Sequence, residues 1–182
     1  MQLQQIDTVD TLLREMWRSE PRLLREVFKF LFVPLYGEGE NQRYVTALPK
    51  KGTTNIEPLS FSECYYLTSL KISDQVTEIE PRSFEVCEEL EYVHIGKSVR
   101  HIGREAFEEC SSLRRVDLPY SLESIGEMSF QNCWSLRSIT LPESLVNIGK
   151  EAFYECEELQ TVTIPDSVTS IGSGVFTRCK KL

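Results

Sequence analysis

Histidine is scarce in this chain, and the scarcity limits the chemistry that the chain can perform. Only two of its 182 residues are histidines, His94 and His101. A His-dependent catalytic triad or a histidine-rich metal site therefore has almost no candidate residues. The sequence also lacks a G-x-S-x-G elbow, a P-loop and an H-E-x-x-H motif. We expect a protein that is not an enzyme and that holds neither a cofactor nor a metal ion.

Long apolar runs and a secretory leader are missing as well. The longest apolar run, Val27–Tyr36, contains Lys29 and Pro34 and is far shorter than the roughly 18–20 residues of a membrane-spanning helix. No basic stretch followed by an apolar stretch stands at the N-terminus. The sequence thus favours a cytoplasmic protein without a membrane span.

Basic residues are fewer than acidic ones, and the difference lies in residues 61–182. The formal net charge is −8, and residues 61–182 hold twelve Lys/Arg against twenty Asp/Glu. Nucleic-acid binding needs a cationic surface that neutralises phosphates. We therefore do not expect nucleic acid as a partner.

What the chain has instead is a repeat of 23 residues. The motif F-x-x-C-x-x-L recurs, so that five complete units and a partial sixth unit can be aligned. One such unit cannot bury its apolar face alone, whereas stacked units share a continuous core. The units begin at Phe61, Phe84, Phe107, Phe130, Phe153 and Phe176, and the cysteines are Cys64, Cys87, Cys110, Cys133, Cys156 and Cys179.

Each unit contains signals for a strand, a turn and a short helical piece. Apolar residues alternate in segments such as LRRVDL, which is typical of a short strand. Pro119, Pro142 and Pro165 follow this segment and would end the strand, because proline has no backbone donor. The Ile-Gly dipeptides would turn the chain through a positive φ. The F-x-x-C half of the unit predicts a short helical or 3₁₀ turn.

The repeat pattern L-x-x-V-x-I-P-x-S-V-x-x-I-G-x-x-A-F-x-x-C resembles the BspA-type leucine-rich repeat, most clearly in LQTVTIPDSVTSIGSGVFTRC, Leu159–Cys179. The resemblance implies an α/β solenoid, a right-handed coil with a parallel β-sheet on its concave face. It also implies protein interaction, often by members at the cell surface that attach to host or matrix proteins. Ser73 and Gly96 replace the proline, and Glu80 replaces the glycine, so we expect the early coils to be less regular.

The row of cysteines has three interpretations: disulfides, a metal site, or small buried side chains. In a parallel solenoid the six side chains would all point the same way into the core, whereas a disulfide needs two that point toward each other. No C-x-x-C pair is present to converge on a metal. We predict six unbridged thiols that fill slots in the core, which fits a reducing compartment.

The N-terminal third differs from the repeats. In residues 1–36 apolar side chains recur at helical spacing, which predicts two short helices that cap the first coil. The segment RLLREVFKFL, Arg22–Leu31, is similar to the first helix of an F-box, so an F-box-like ubiquitin-ligase adapter is one alternative function. Residues 37–60 are predicted to be a connector and a degenerate first coil, and residues 61–182 to be the leucine-rich repeats.

The last unit contains no strand segment of its own. The predicted strand Leu159–Ile164 would then be an open edge, and such edges recruit other chains. Either the chain is a structural spacer, a fragment of a longer repeat array, or a partner or a second copy covers this edge.

The candidate binding residues are those that alternate with the buried positions of the strands. They would point outward on the predicted concave face. Tyr92 and Arg115 are of the residue types that anchor interfaces, although such residues can also satisfy only one another. We predict a non-enzymatic protein–protein interaction module that binds a protein partner. The candidate residues are Lys71, Tyr92, His94, Arg115, Asp117, Ser138, Thr140, Thr161 and Thr163.

Overall fold

The computed structural model describes residues 45–47, 54–65 and 67–182. These residues form ten short strands and contain no helix, and hence none that could cross a membrane. The strands are β1 Val45–Ala47, β2 Asn55–Ile56, β3 Ser69–Ile72, β4 Glu78–Ile79, β5 Tyr92–His94, β6 His101–Ile102, β7 Arg115–Asp117, β8 Ser124–Ile125, β9 Asn147–Ile148 and β10 Ser170–Ile171. The two predicted cap helices at 1–36 lie outside the described residues.

Two parallel sheets run along the stacked coils. The first sheet has the order β1-β3-β5-β7, and the second has the order β2-β4-β6-β8-β9-β10. Neighbouring strands pair at the repeat spacing, for example Tyr92 with Arg115 and Ile125 with Ile148. Each turn of the chain adds one strand to the second sheet, and the turns up to β7 also add one to the first, so the predicted solenoid of parallel coils is confirmed.

A third set of hydrogen bonds joins the coils where the sequence predicted a helical piece. In each complete unit the backbone N–H of the phenylalanine donates to a carbonyl of the next coil; Phe107 N to Ser129 O, for instance, is 2.8 Å. The residue two after the phenylalanine does the same, and from Arg82 onward so does the residue two before it, as in Glu105 N to Glu127 O at 2.9 Å. A helix would need these N–H groups for its own i→i−4 bonds. The described coils contain no helix there, so the helical alternative was wrong. The alternative of a 3₁₀-type turn agrees with single i→i−3 bonds such as Leu113 N to Cys110 O at 3.0 Å.

The backbone achieves this geometry by placing residues in the left-handed region. In each unit the residues two before and two after the phenylalanine have positive φ values, between 54° and 69°. Left-handed residues such as Glu105 and Glu109 are also donors of the hydrogen bonds to the next coil. Non-glycine residues occupy eleven of these positions: Leu59, Glu63, Arg82, Val86, Glu105, Glu109, Met128, Asn132, Glu151, Glu155 and Arg178.

The glycine of the Ile-Gly dipeptide has a different role from the predicted one. Gly103 and Gly126 are not among the residues with positive φ. A Cβ on Gly126 would lie 2.6 Å from the carbonyl carbon of Gly103 in the preceding coil, which is far inside van der Waals contact. Gly126 leaves room for this close approach of two backbones, and it is not needed to reverse the chain.

The core consists of rows of identical side chains. Phe84, Phe107, Phe130 and Phe153 are completely buried. Along the row from Phe61 to Phe176, neighbouring ring centroids lie 5.0–5.7 Å apart, with interplanar angles of 1–10°. Successive F-x-x-C elements therefore lie directly over one another, and each ring packs against two others in an offset stack.

The cysteines form a second row beside the phenylalanines. All six thiols are unbridged, and only Cys179 is not fully buried. The Sγ–H of Cys110 donates to the carbonyl of Phe84 at 3.3 Å, and four other cysteines repeat this contact at 3.2–3.3 Å. Burial raises the pKa of Cys133 and Cys156, which keeps the donor protons on sulfur. The thiols are thus small core side chains, and five of them also tie one coil to the preceding one.

The early coils are more regular than the sequence predicted. β3 and β5, which precede Ser73 and Gly96, pair over three residues. Beyond β7 the first sheet continues only as single bridges, Arg115 with Ser138 and Ser138 with Thr161. The prolines explain this reversal, because a proline lacks a donor and restricts the residue before it.

Candidate protein-binding face

The first-sheet face is the outward surface of β3, β5 and β7 together with the positions bridged to them. In these strands the inward residues, such as Val93 and Val116, are buried, while the residues on either side of them are partly or fully exposed. The strands' alternation of inward and outward side chains is as predicted. The face therefore presents two rows of side chains that vary from coil to coil.

Four of the predicted residues form one cluster on this face, and three of them are joined by hydrogen bonds. Tyr92 pairs with Arg115 and His94 pairs with Asp117 across β5 and β7. Tyr92 Oη donates to Asp117 Oδ2 at 2.6 Å, and Arg115 Nε donates to Asp117 Oδ1 at 2.8 Å. His94 Nδ1 lies 3.8 Å from Asp117 Oδ2, and the guanidinium of Arg115 lies 5.8 Å from the centre of the Tyr92 ring.

Asp117 holds this cluster together. Partial burial acts to raise the pKa of its carboxyl, but the hydrogen bonds from Tyr92 and Arg115 outweigh burial and lower that pKa. Asp117 therefore stays ionised and keeps the phenol and the guanidinium in fixed positions. These side chains bind one another, which is one of the two alternatives that the sequence left open. The contacts fix their orientation and still leave the Arg115 side chain 69% exposed.

The other predicted residues extend the face on both sides of the cluster. Lys71 on β3 pairs with His94. Ser138 and Thr161 continue the row that contains Arg115 through the single bridges, and both are exposed. Thr140 and Thr163 are also exposed, without strand pairing. The polar cluster is thus flanked by a lysine on one side and by small hydroxyl side chains on the other.

Sequence reasoning missed two arginines beside this face. Arg114 immediately precedes β7, and Arg137 has the same place in the next coil: its N–H donates to the carbonyl of Arg114 at 3.5 Å. Both side chains are exposed. Comparing the same position across the units, rather than within one unit, would have revealed them.

A cluster of three carboxylates lies at the turn side of the coils. Oxygens of Glu85, Glu105 and Glu108 lie within 4.8 Å of one another. Both oxygens of the buried Glu105 are already bound by arginine: Arg82 Nε donates to Oε2, and Arg104 Nε donates to Oε1 at 2.8 Å. These arginines supply the positive charge that a metal ion would otherwise supply.

Parallel coils with a short strand on each side and a buried ladder of F-x-x-C elements define a leucine-rich-repeat solenoid. Residues 54–182 match the family model described as the BspA type leucine rich repeat region, in six copies. The chain belongs to this family, which confirms the resemblance noted in the sequence.

Solved structures of bacterial leucine-rich repeat proteins share the fold. The leucine rich repeat protein of T. pallidum is 38% identical to this chain, with a TM-score of 0.62. The match covers 63% of this chain and 56% of that one. This chain is 29% identical to a leucine rich cell surface protein of Faecalibacterium prausnitzii, with a TM-score of 0.60 and coverage of 75% and 45%. A leucine-rich repeat protein of Bacteroides ovatus is 34% identical, with a TM-score of 0.50 and coverage of 59% and 34%.

This chain therefore spans between about a third and somewhat more than half of the length of these proteins. Among curated proteins, no match was found.

Proposed function

We propose that this chain is a non-enzymatic module that binds a protein partner through the first-sheet face. Protein interaction is the general role of leucine-rich repeats, and the family is established for this chain. The observation that carries the proposal is the cluster of Tyr92, Arg115 and Asp117, which hydrogen bonds hold in place on an accessible sheet surface beside His94.

The cluster suits recognition because its side chains are ordered before a partner arrives. Binding usually costs free energy when long side chains must be immobilised, about 0.5–1.5 kcal/mol for each. Asp117 already restrains Arg115 and Tyr92, so part of this cost is met during folding. Tyrosine and arginine are also the residue types that contribute most to interface free energy.

The test is affinity purification with a double variant, Tyr92→Ala with Arg115→Ala, against a matched control. The control is Tyr120→Ala with Arg100→Ala, because both residues are exposed and neither belongs to the strands or bridges of this face. We expect the first variant to lose the captured partner and the control to keep it. Equal capture by both variants would refute the assignment of the face.

We further propose that the protein works in a reducing compartment. Six unbridged thiols, five of them buried in a regular row, support this proposal, because free cysteines persist where thiols are kept reduced. One similar protein is described as a cell surface protein. Fractionation of cells that express the tagged chain distinguishes the two locations: we expect the tag in the cytoplasmic fraction, and recovery at the surface would refute this.

A further inference from the structure

Basic residues follow a pattern along the solenoid, and one row departs from it: in the repeats, residues 61–182, only Arg114 and Arg137 place two Lys or Arg side chains at the same position of neighbouring coils. In the described coils a cation usually lies beside an acid at the same position of a neighbouring coil, so that the two charges neutralise each other. Such pairs are Asp74 with Lys97, Arg100 with Glu123, Arg178 with Glu155, Lys180 with Glu157 and Lys181 with Glu158.

The exceptional row reads Glu91, Arg114, Arg137 and Gln160 in successive coils. Arg114 Nη1 lies 3.7 Å from Glu91 Oε2, which is a long ion pair. Its neighbour on the other side is Arg137, and the hydrogen bond from Arg137 N to Arg114 O fixes this register. Equivalent residues of parallel strands lie about 4.8 Å apart, and like charges that close disfavour the folded state. The row therefore carries a stacked pair of arginines at some expense of stability.

A third arginine is adjacent to this pair in the chain. Arg115 follows Arg114 directly and begins β7, and its side chain is 69% exposed. Its Nε donates to Asp117, while Ser138 and Thr161, which continue its row, are neutral. The positive charge of Arg137 also helps to lower the pKa of Glu158, but the hydrogen bond from Lys181 to Glu158 lowers that pKa more. We call Arg114, Arg115 and Arg137 the arginine ledge.

We propose that the arginine ledge binds a carboxylate-rich polypeptide segment of the partner that occupies the first-sheet face. The inference rests on the proposed function and adds the chemistry of the partner. The repeats carry twelve Lys/Arg against twenty Asp/Glu, so most of the surface repels an acidic chain. The ledge is a local exception that attracts one, and guanidinium groups bind carboxylates through paired hydrogen bonds.

The test measures binding of two fluorescein-labelled peptides to the full chain by fluorescence anisotropy. One peptide repeats Glu-Ser and the other repeats Gln-Ser, so that only the charge differs. We expect the Glu-Ser peptide alone to bind, with an affinity that falls as salt is added, because exposed charges are screened. Equal binding of the Gln-Ser peptide would overturn the proposal. A phosphoserine peptide lacking Glu is a third probe, and binding of that probe alone would also overturn it.

The variant Arg114→Gln with Arg137→Gln removes two charges of the ledge. Its matched control, Arg100→Gln with Arg178→Gln, removes two charges from other rows. Exposed ion pairs of ordinary strength predict a loss of about tenfold in affinity for the first variant and no more than about twofold for the control. Equal losses would show that net charge, and not the ledge, attracts the peptide, and would overturn the proposal.

A further variant separates binding from folding. Arg137→Glu places a carboxylate beside Arg114 in place of a second positive charge. We therefore expect a higher thermal midpoint of unfolding together with loss of peptide binding. Higher stability with unchanged binding would overturn the proposal. If partner capture depends on Tyr92 and Arg115 but not on Arg114 and Arg137, the proposed function stands and the carboxylate inference fails.

Discussion

Replacement of Glu108 by glutamine should remove a pH dependence of stability that is unusual for a carboxyl group. Glu108 is half-buried beside Glu85 and Glu105. Burial, and then the negative charges of Glu105 and Glu85, raise its pKa from 4.5 to about 7. The folded state therefore holds this proton more tightly than the unfolded state does. The resulting stabilisation is complete below pH 4.5 and is lost as the pH rises toward 7.

The size of the effect follows from the shift. A change from 4.5 to about 7 corresponds to at most about 3.4 kcal/mol. Because the carboxyl is only partly buried, solvent screening reduces the expected effect to about 1–2 kcal/mol. The lowered pKa values of Glu105 and Asp117 act in the opposite direction, but only as the pH falls below about 4.5, since their folded values lie under the ordinary ones.

Urea unfolding of the wild type and of Glu108→Gln at pH 5 and pH 8 measures the effect. We expect the wild type to lose about 1–2 kcal/mol between these values through Glu108, and the variant to lack this loss and to be the more stable protein at pH 8. Glu143→Gln, at an exposed site, is the control and should follow the wild type. If all three proteins lose stability in parallel, the account of the carboxylate cluster is wrong.

Four further predictions concern the backbone, the thiols and the last coil. Val86→Gly should stabilise the fold by about 1 kcal/mol, because a β-branched residue with a φ of 59° is strained; a lower thermal midpoint would contradict this. Gly126→Ala should destabilise it by about 2–3 kcal/mol through the clash with the preceding coil, again measured by urea unfolding, where an unchanged midpoint would refute the close approach. A thiol reagent should label Cys179 first in the native protein, because it is the least buried cysteine, and reaction of all six at one rate would argue against the buried row. If copies associate through the last coil, where Ile171 is 50% exposed, then Ile171→Lys should reduce self-association in sedimentation, and a wild type that is monomeric at high concentration would rule this out.

The architecture could be predicted because residues at the same position of each 23-residue unit lie next to one another in the stacked coils. Identical side chains every 23 residues, such as Phe84 and Phe107, must stack if each unit makes one coil, and alternation in the strand segment decides which residues face outward. Tyr92, His94, Arg115 and Asp117 were found in this way, and the structure brings them together. The arginine ledge was not found, because Arg114 and Arg137 are ordinary exposed residues within their own units.

The turn half of the unit could not be predicted, because its conformation depends on the neighbouring coil. Glu105, Glu109 and Met128 have no preference for the left-handed region, yet they adopt it. Hydrogen bonds to the next coil compensate for this cost, and those bonds exist only when the coils are stacked. Propensities taken from a single unit favour a helical turn there, which is the structure that an isolated segment would prefer.

The three hydrogen-bond ladders between coils have a consequence for how the gene can change. Duplication or loss of one whole unit leaves every backbone donor opposite an acceptor, so an array can lengthen or shorten by recombination without any new interaction being invented. An insertion of a single residue moves all later side chains out of their rows at once. We therefore expect natural variants to differ in the number of repeats far more readily than in the length of a repeat.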